Sequence, residues 1–142
     1  MTRRPMRGIQ TYLTFDGSTR EAMTFYQKCL GAELSIRSFR ETGVETPKGA
    51  EDRIVHARLQ KGTAVLMASD TLPGMPFKQG ANFSINIDCE SIPEIVKLFE
   101  AFSEGSQVTM PLQDTFWGAR FGMITDRFGV SWMFNHELPK KS

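Results

Sequence analysis

Polar and apolar positions alternate over residues 10–15, QTYLTF, which predicts a short strand with Gln10 and Tyr12 on one face. The period then becomes helical. Ala22, Phe25, Tyr26, Cys29 and Leu30 fall on one face, Ser18 with Glu21 makes a capping-box pattern at the start, and Gly31 supplies the stop. Residues 33–39 return to a strand pattern. A polar loop, RETGVETPKGAEDR, leads into IVHARLQKGTAVLMASD (54–70), two apolar arms about Lys61-Gly62 that predict a hairpin. A Pro- and Gly-rich segment follows over 71–81.

Beyond it the order repeats. Residues 82–88, NFSINID, alternate as a strand, and Ser91 with Glu94 is a second capping-box pattern. Ile95, Leu98, Phe99 and Phe102 make the apolar helix face, and Gly105 ends it. Residues 107–110 supply a short strand and the hairpin 120–135 closes the unit. Each half is therefore strand–helix–strand–strand–strand, in an α+β chain. Two modules, 9–70 and 82–137, are joined by the 71–81 linker within one domain of 142 residues. Repeats of this length are not solenoid units, and they imply a duplicated module with pseudo-two-fold symmetry.

Composition narrows the function classes. Hydrophobic residues at 40% and charged residues at 23% fit a soluble globular chain, and a net charge of +1 argues against a nucleic-acid partner. The start, MTRRPMRG, is basic but leads into no apolar run, so neither signal peptide nor membrane span is expected. Cys29 and Cys89 lack metal-type spacing and are expected as buried, reduced thiols, which points to the cytoplasm.

Strand parity locates candidate site residues. If Lys61-Gly62 is a two-residue turn, Gln60 pairs with Thr63, and His56 lies opposite Met67 on the same face. By the same count Gly122 opposes Met133, with Arg120 and Ile124 beside them; a bulged turn over Asp126–Gly129 would shift that register by one. An imidazole at His56 suits a general base or a hydrogen-bond donor to a ligand. Its other reading is an imidazole satisfied by a neighbouring side chain. Tyr12 adds a phenolic hydroxyl. Arg58 and Arg120 fit an anionic ligand or a solvated rim. Phe116 and Trp117 suit a roof over a flat ligand, or else core or a dimer interface. Met67 and Met133 would be adaptable apolar walls. The chain carries no Ser-His-Asp arrangement, no phosphate-cradling glycine loop and no Rossmann fingerprint.

The segments YLTFDGSTREAMTFYQKCLGAEL, HARLQKGTAVLMASD and FWGARFGMITDRFGVSWMFN, in this order, resemble the vicinal oxygen chelate superfamily over residues 9–137. That group includes glyoxalase I, bleomycin-resistance proteins and extradiol dioxygenases, and the likeness is to its PhnB-like branch. The resemblance implies that each module curls a mixed sheet into half of a cup, with helices outside and a ligand between the halves. It also implies pairing of two chains. Metal enzymes of the group draw ligands from the first and last strand of each module, positions that correspond here to Gln10, Met67, Asn82 and Met133. Thioethers and amides are poor donors for zinc, nickel, iron or manganese. The expectation is thus a metal-free, cofactor-free homodimer that binds a small organic molecule, with no nucleic acid or membrane partner. A metal-dependent lyase, isomerase or dioxygenase of the same fold is one alternative, and a sequestering protein without catalysis is another. The branch also carries a methyltransferase label, yet the sequence has no glycine-rich strand–turn–helix to hold S-adenosylmethionine.

Overall fold

The computed structural model describes residues 6–140; residues 1–5, the first part of the basic start, and 141–142 lie outside it. The elements run β1 (Thr11–Phe15), α1 (Thr19–Leu30), β2 (Glu33–Ser38), α2 (Phe39–Thr42), β3 (Ile54–Lys61) and β4 (Ala64–Asp70). After the linker come β5 (Ile85–Asp88), α3 (Ile92–Ser103), β6 (Gln107–Asp114), β7 (Ala119–Thr125) and β8 (Ser131–Glu137). They build two four-stranded mixed sheets, ordered β1-β4-β3-β2 and β5-β8-β7-β6. In each, the first strand runs parallel to the last and the other pairs are antiparallel. The last turn of α1 apart, the chain divides at Phe77/Lys78, inside the Pro/Gly segment.

Alternation sorts the first sheet into a buried and an open face. Leu13, Phe15, Ala57, Leu59, Leu66 and Ala68 are buried, while Tyr12, Thr14, His56, Arg58 and Arg37 are exposed. A register shift between Arg37 and Ser38 bulges this sheet, so that Ile54 is buried although it shares the parity of exposed His56. The buried carboxylate of Asp70, at the end of β4, ties the unit together. Its Oδ1 accepts from Gly17 N, Thr19 N and Thr19 Oγ1 at 3.0, 3.1 and 2.7 Å, and its Oδ2 accepts from Ile54 N at 2.9 Å.

In the second unit Ile95, Phe99 and Phe102 of α3 are buried, as the apolar spacing predicts. Phe102 stands 4.7 Å from Trp132 and 5.2 Å from Phe134, ring centre to ring centre. Strand β7 lets the helix approach through Gly122, where an added Cβ would stand 2.6 Å from Phe99 Cε2.

Some boundaries differ from the sequence pattern. The predicted loop after residue 39 begins with the short helix α2, because Ser38 is an N-cap whose hydroxyl accepts from Glu41 N. Strand β6 continues through Pro111 to Asp114; as an edge strand with irregular register it tolerates a residue that donates no ladder bond. Cys29 is half-buried rather than buried.

The two capping-box patterns part company. Ser91 accepts from Glu94 N while Glu94 Oε1 accepts from Glu90 N, so the second cap forms. The Ser18 side chain makes no cap bond, and Asp70 instead accepts from the Gly17 and Thr19 amides on either side of it. Ser91→Ala is therefore expected to cost about 1 kcal/mol and Ser18→Ala only a few tenths. Urea unfolding of the pair checks this, and equal losses would contradict the assignment.

Candidate functional site

The site is built on the open face of the first sheet. In the first hairpin Lys61 pairs with Ala64, so the turn is Gly62-Thr63, with Gly62 at φ 58°. Arg58, not His56, therefore opposes Met67. This corrects the expected pairing by two residues, and a two-residue slip preserves the face. His56 is on Met67's side of the sheet, opposite Arg37 of β2.

Tyr12 pairs with Met67 across the parallel β1–β4 ladder. Its Oη lies 3.2 Å from His56 Nδ1, and the two ring centres are 5.8 Å apart. With the phenol donating to Nδ1, the other ring nitrogen carries the proton and is a donor. The exposed pair thus offers an imidazole N–H donor and a phenolic oxygen that can still accept. Tyr12 is 46% exposed, so the pair is open to a ligand.

The second sheet has the other register. Met123, not Gly122, opposes Met133. The turn is bulged: Asp126 Oδ1 accepts from Phe128 N and Val130 N at 2.8 and 3.0 Å, Asp126 Oδ2 accepts from Trp132 Nε1 at 2.8 Å, and Gly129 N donates to Asp126 O. The resulting one-residue shift reverses the face. Gly122, Ile124, Trp132 and Phe134 are buried, while Phe121, Met123, Met133 and Asn135 are half-buried on the other side. Arg120 is opposite His136, off Met133's face, and its Nε donates to Asp114 Oδ1 at 2.8 Å. That hydrogen bond holds the Asp114 carboxyl below its usual range and raises the guanidinium. Arg120 thus has a carboxylate partner and stands off the face on which the simple register put it.

Gln10 lies just before β1 and Asn82 in the loop before β5, so neither is in a strand. The strand partners of the two methionines are Tyr12 for Met67 and Asn86 for Met133. Neither pair, a phenol with a thioether in the first unit or an amide with a thioether in the second, fits a hard divalent ion. Among the described residues no three His, Cys, Asp or Glu side chains gather into a metal-ligand group. Phe116 and Trp117 sit at the β6–β7 turn, their rings 5.0 Å apart and edge-on. They line a recess of about 780 Å³ within the second unit, together with Asp114, Asn135 and Glu137. Burial pushes both the Cys29 and Cys89 thiols up to about 11, so neither is a thiolate nucleophile at neutral pH.

A family model described as 3-demethylubiquinone-9 3-methyltransferase matches residues 7–134. The chain belongs to that family. It is 32% identical to Protein YjdN of Escherichia coli K12, over 89% of this chain and 93% of that one. It is similar to the crystal structure of protein PA1353 from Pseudomonas aeruginosa, at 44% identity and TM-score 0.82, covering 92% of this chain and 98% of the other. The PhnB protein from Bacillus cereus follows at 28% and 0.75, covering 92% and 99%. A glyoxylase/bleomycin resistance protein/dioxygenase domain from Frankia shares the fold at 12% identity and TM-score 0.68, covering 96% of both chains. The chain is thus a PhnB-like member of the vicinal oxygen chelate superfamily.

Parity reasoning missed several open-face residues of this PhnB-like chain. Arg37 needed the β2–β3 pairing, which no turn signal fixes. Asn86 and Asp88 were within reach of the INID alternation, had the ladder been counted from Met133. Asn135 Nδ2 donates to Asp88 Oδ1 at 3.1 Å, and that contact appears only once β5 and β8 are parallel neighbours.

Proposed function

We propose that the chain binds a small organic molecule on the open face of its first sheet, without a divalent metal, and acts as a homodimer in the cytoplasm. The observation that carries this is the Tyr12–His56 pair, with Met67 opposite Tyr12, on the exposed face of the first sheet. A polar pair beside an adaptable apolar side chain is the composition of a small-molecule site. Metal independence is supported by the poor donors at the strand positions within each unit, Tyr12 and Met67 in the first and Asn86 and Met133 in the second. Dimerisation is supported by Phe116 and Trp117, 98% and 56% exposed at one turn. No described helix is long and apolar enough to cross a membrane.

A methyltransferase reading finds little support in these residues. Some amides at the two strand–helix turns are already held within the protein. Gly17 and Thr19 give theirs to Asp70, and Glu90 and Glu94 give theirs to Glu94 and Ser91 side chains. The pair Tyr12–His56 favours, as a second reading, proton transfer to or from the bound molecule.

The test combines two measurements. Mass spectrometry of denatured protein identifies a co-purified molecule, and its rebinding to His56→Ala is expected to weaken by about 1–3 kcal/mol with little change in thermal stability. A large stability loss with unchanged affinity contradicts the site. One equivalent of nickel, zinc or manganese that survives dialysis and is lost in His56→Ala contradicts metal independence. A monomer mass by light scattering at micromolar protein contradicts the dimer.

A further inference from the structure

We propose that the open face of the first sheet is selective for an organic anion, a carboxylate on an apolar body, held by Arg37 and Arg58 around the Tyr12–His56 pair. The proposal rests on the small-molecule reading above and names its ligand class.

The ladder brings two guanidinium groups to this face. Arg37 is directly opposite His56, and Arg58 is opposite Ser35 on one side and Met67 on the other. The two arginines are thus diagonal neighbours on adjacent strands, a spacing of about 7–8 Å at which like charges disfavour each other and at which one carboxylate can reach both. Both are exposed. Arginines elsewhere on the chain are paired, Arg40 with Asp52, Arg53 with Asp16 and Arg120 with Asp114, whereas Arg37 and Arg58 are in none of these pairs. The other open-face residues of β1 and β4, Tyr12, Thr14, Val65, Met67 and Ser69, are uncharged. Glu33 is the acidic member of the face on β2; it pairs with Gln60 and is the other diagonal neighbour of Arg58, on the side away from His56, and the two form none of the ion pairs named above.

Charge and shape therefore agree. Two guanidinium groups, an imidazole N–H and the Thr14 and Ser69 hydroxyls supply donors, and no carboxylate of this face neutralises them beside His56. Arginine recognises a carboxylate through paired N–H bonds. Met67 lies between Tyr12 and Arg58 in the ladder and gives the apolar body of such a ligand its contact. In the second sheet the equivalent face carries Asn86, Asp88 and Asn135, with no arginine among them, so the anion preference belongs to the first sheet alone.

The experiment uses the full chain and defined probes: benzoate and 2-naphthoate, each against its neutral primary amide. Binding is followed by two-dimensional NMR of backbone amides and arginine Nε–H groups up to millimolar ligand. Each anion is expected to bind at least about tenfold more tightly than its amide, with shifts centred on β3 and β2. Arg37→Gln and Arg58→Gln are each expected to lower anion affinity about tenfold and leave amide affinity unchanged, and added salt should weaken only the anions. Equal binding of anion and amide, no anion binding at millimolar concentration, or full affinity in the doubly substituted protein overturns the proposal. A neutral co-purified molecule that needs His56 but neither arginine overturns it too, and leaves the small-molecule reading standing.

Discussion

Asp70→Ala is expected to lower the stability of this protein by about 3–5 kcal/mol, a large share of what a small domain has. The carboxylate is buried and accepts four hydrogen bonds, three from the β1–α1 turn and one from the first residue of β3. Alanine leaves the amides of Thr19 and Ile54 without an acceptor in a buried setting, and each such orphan costs about 1–3 kcal/mol. Asp70→Asn should fall between, at about 2 kcal/mol, since its amide NH2 would meet one of the N–H donors. Urea titration followed by circular dichroism measures all three proteins. A loss below about 1 kcal/mol for the alanine variant would show that the carboxylate is not the tie between these elements.

Gly122→Val is expected to cost about 3 kcal/mol, whereas Met123→Val should cost less than about 1 kcal/mol. The space decides this. A Cβ at position 122 would come within 2.6 Å of Phe99 Cε2 and within 3.1 Å of Leu112 Cδ2 and Met110 O, so a branched side chain must push α3 or β6 away. Position 123 is half-buried on the opposite face, opposite Met133. If the hairpin instead placed Gly122 beside Met133, the order of the two losses would reverse. The comparison of thermal midpoints for the two variants is thus a direct test of the second-hairpin register.

The repeat of strand, helix and three strands was legible in the chain because two periods, near 2 and near 3.6, alternate twice and are separated by Pro and Gly. So were the apolar face of α3 and the cap at Ser91, which depend on neighbours within one turn of helix. His56 was assigned its face correctly although its partner was wrong, since the hairpin slipped by two residues and side chains repeat every two. Arg120 fared differently. The bulged turn around Asp126 shifted its strand by one, and that single step moved Arg120 away from Met133's face.

Sequence alone determined what local periodicity can carry: the eight strands, the two long helices and their order. Tertiary structure decided whatever depends on residues far apart in the chain. It set Tyr12 against His56 across 44 positions, Arg37 beside His56 through the β2–β3 ladder, and Asp70 on the amides of Gly17 and Thr19. The physical reason is the same in each case. A turn fixes its register through a few backbone dihedrals and one buried carboxylate, quantities that hydrophobic patterning does not encode, and register then chooses which side chains share a face.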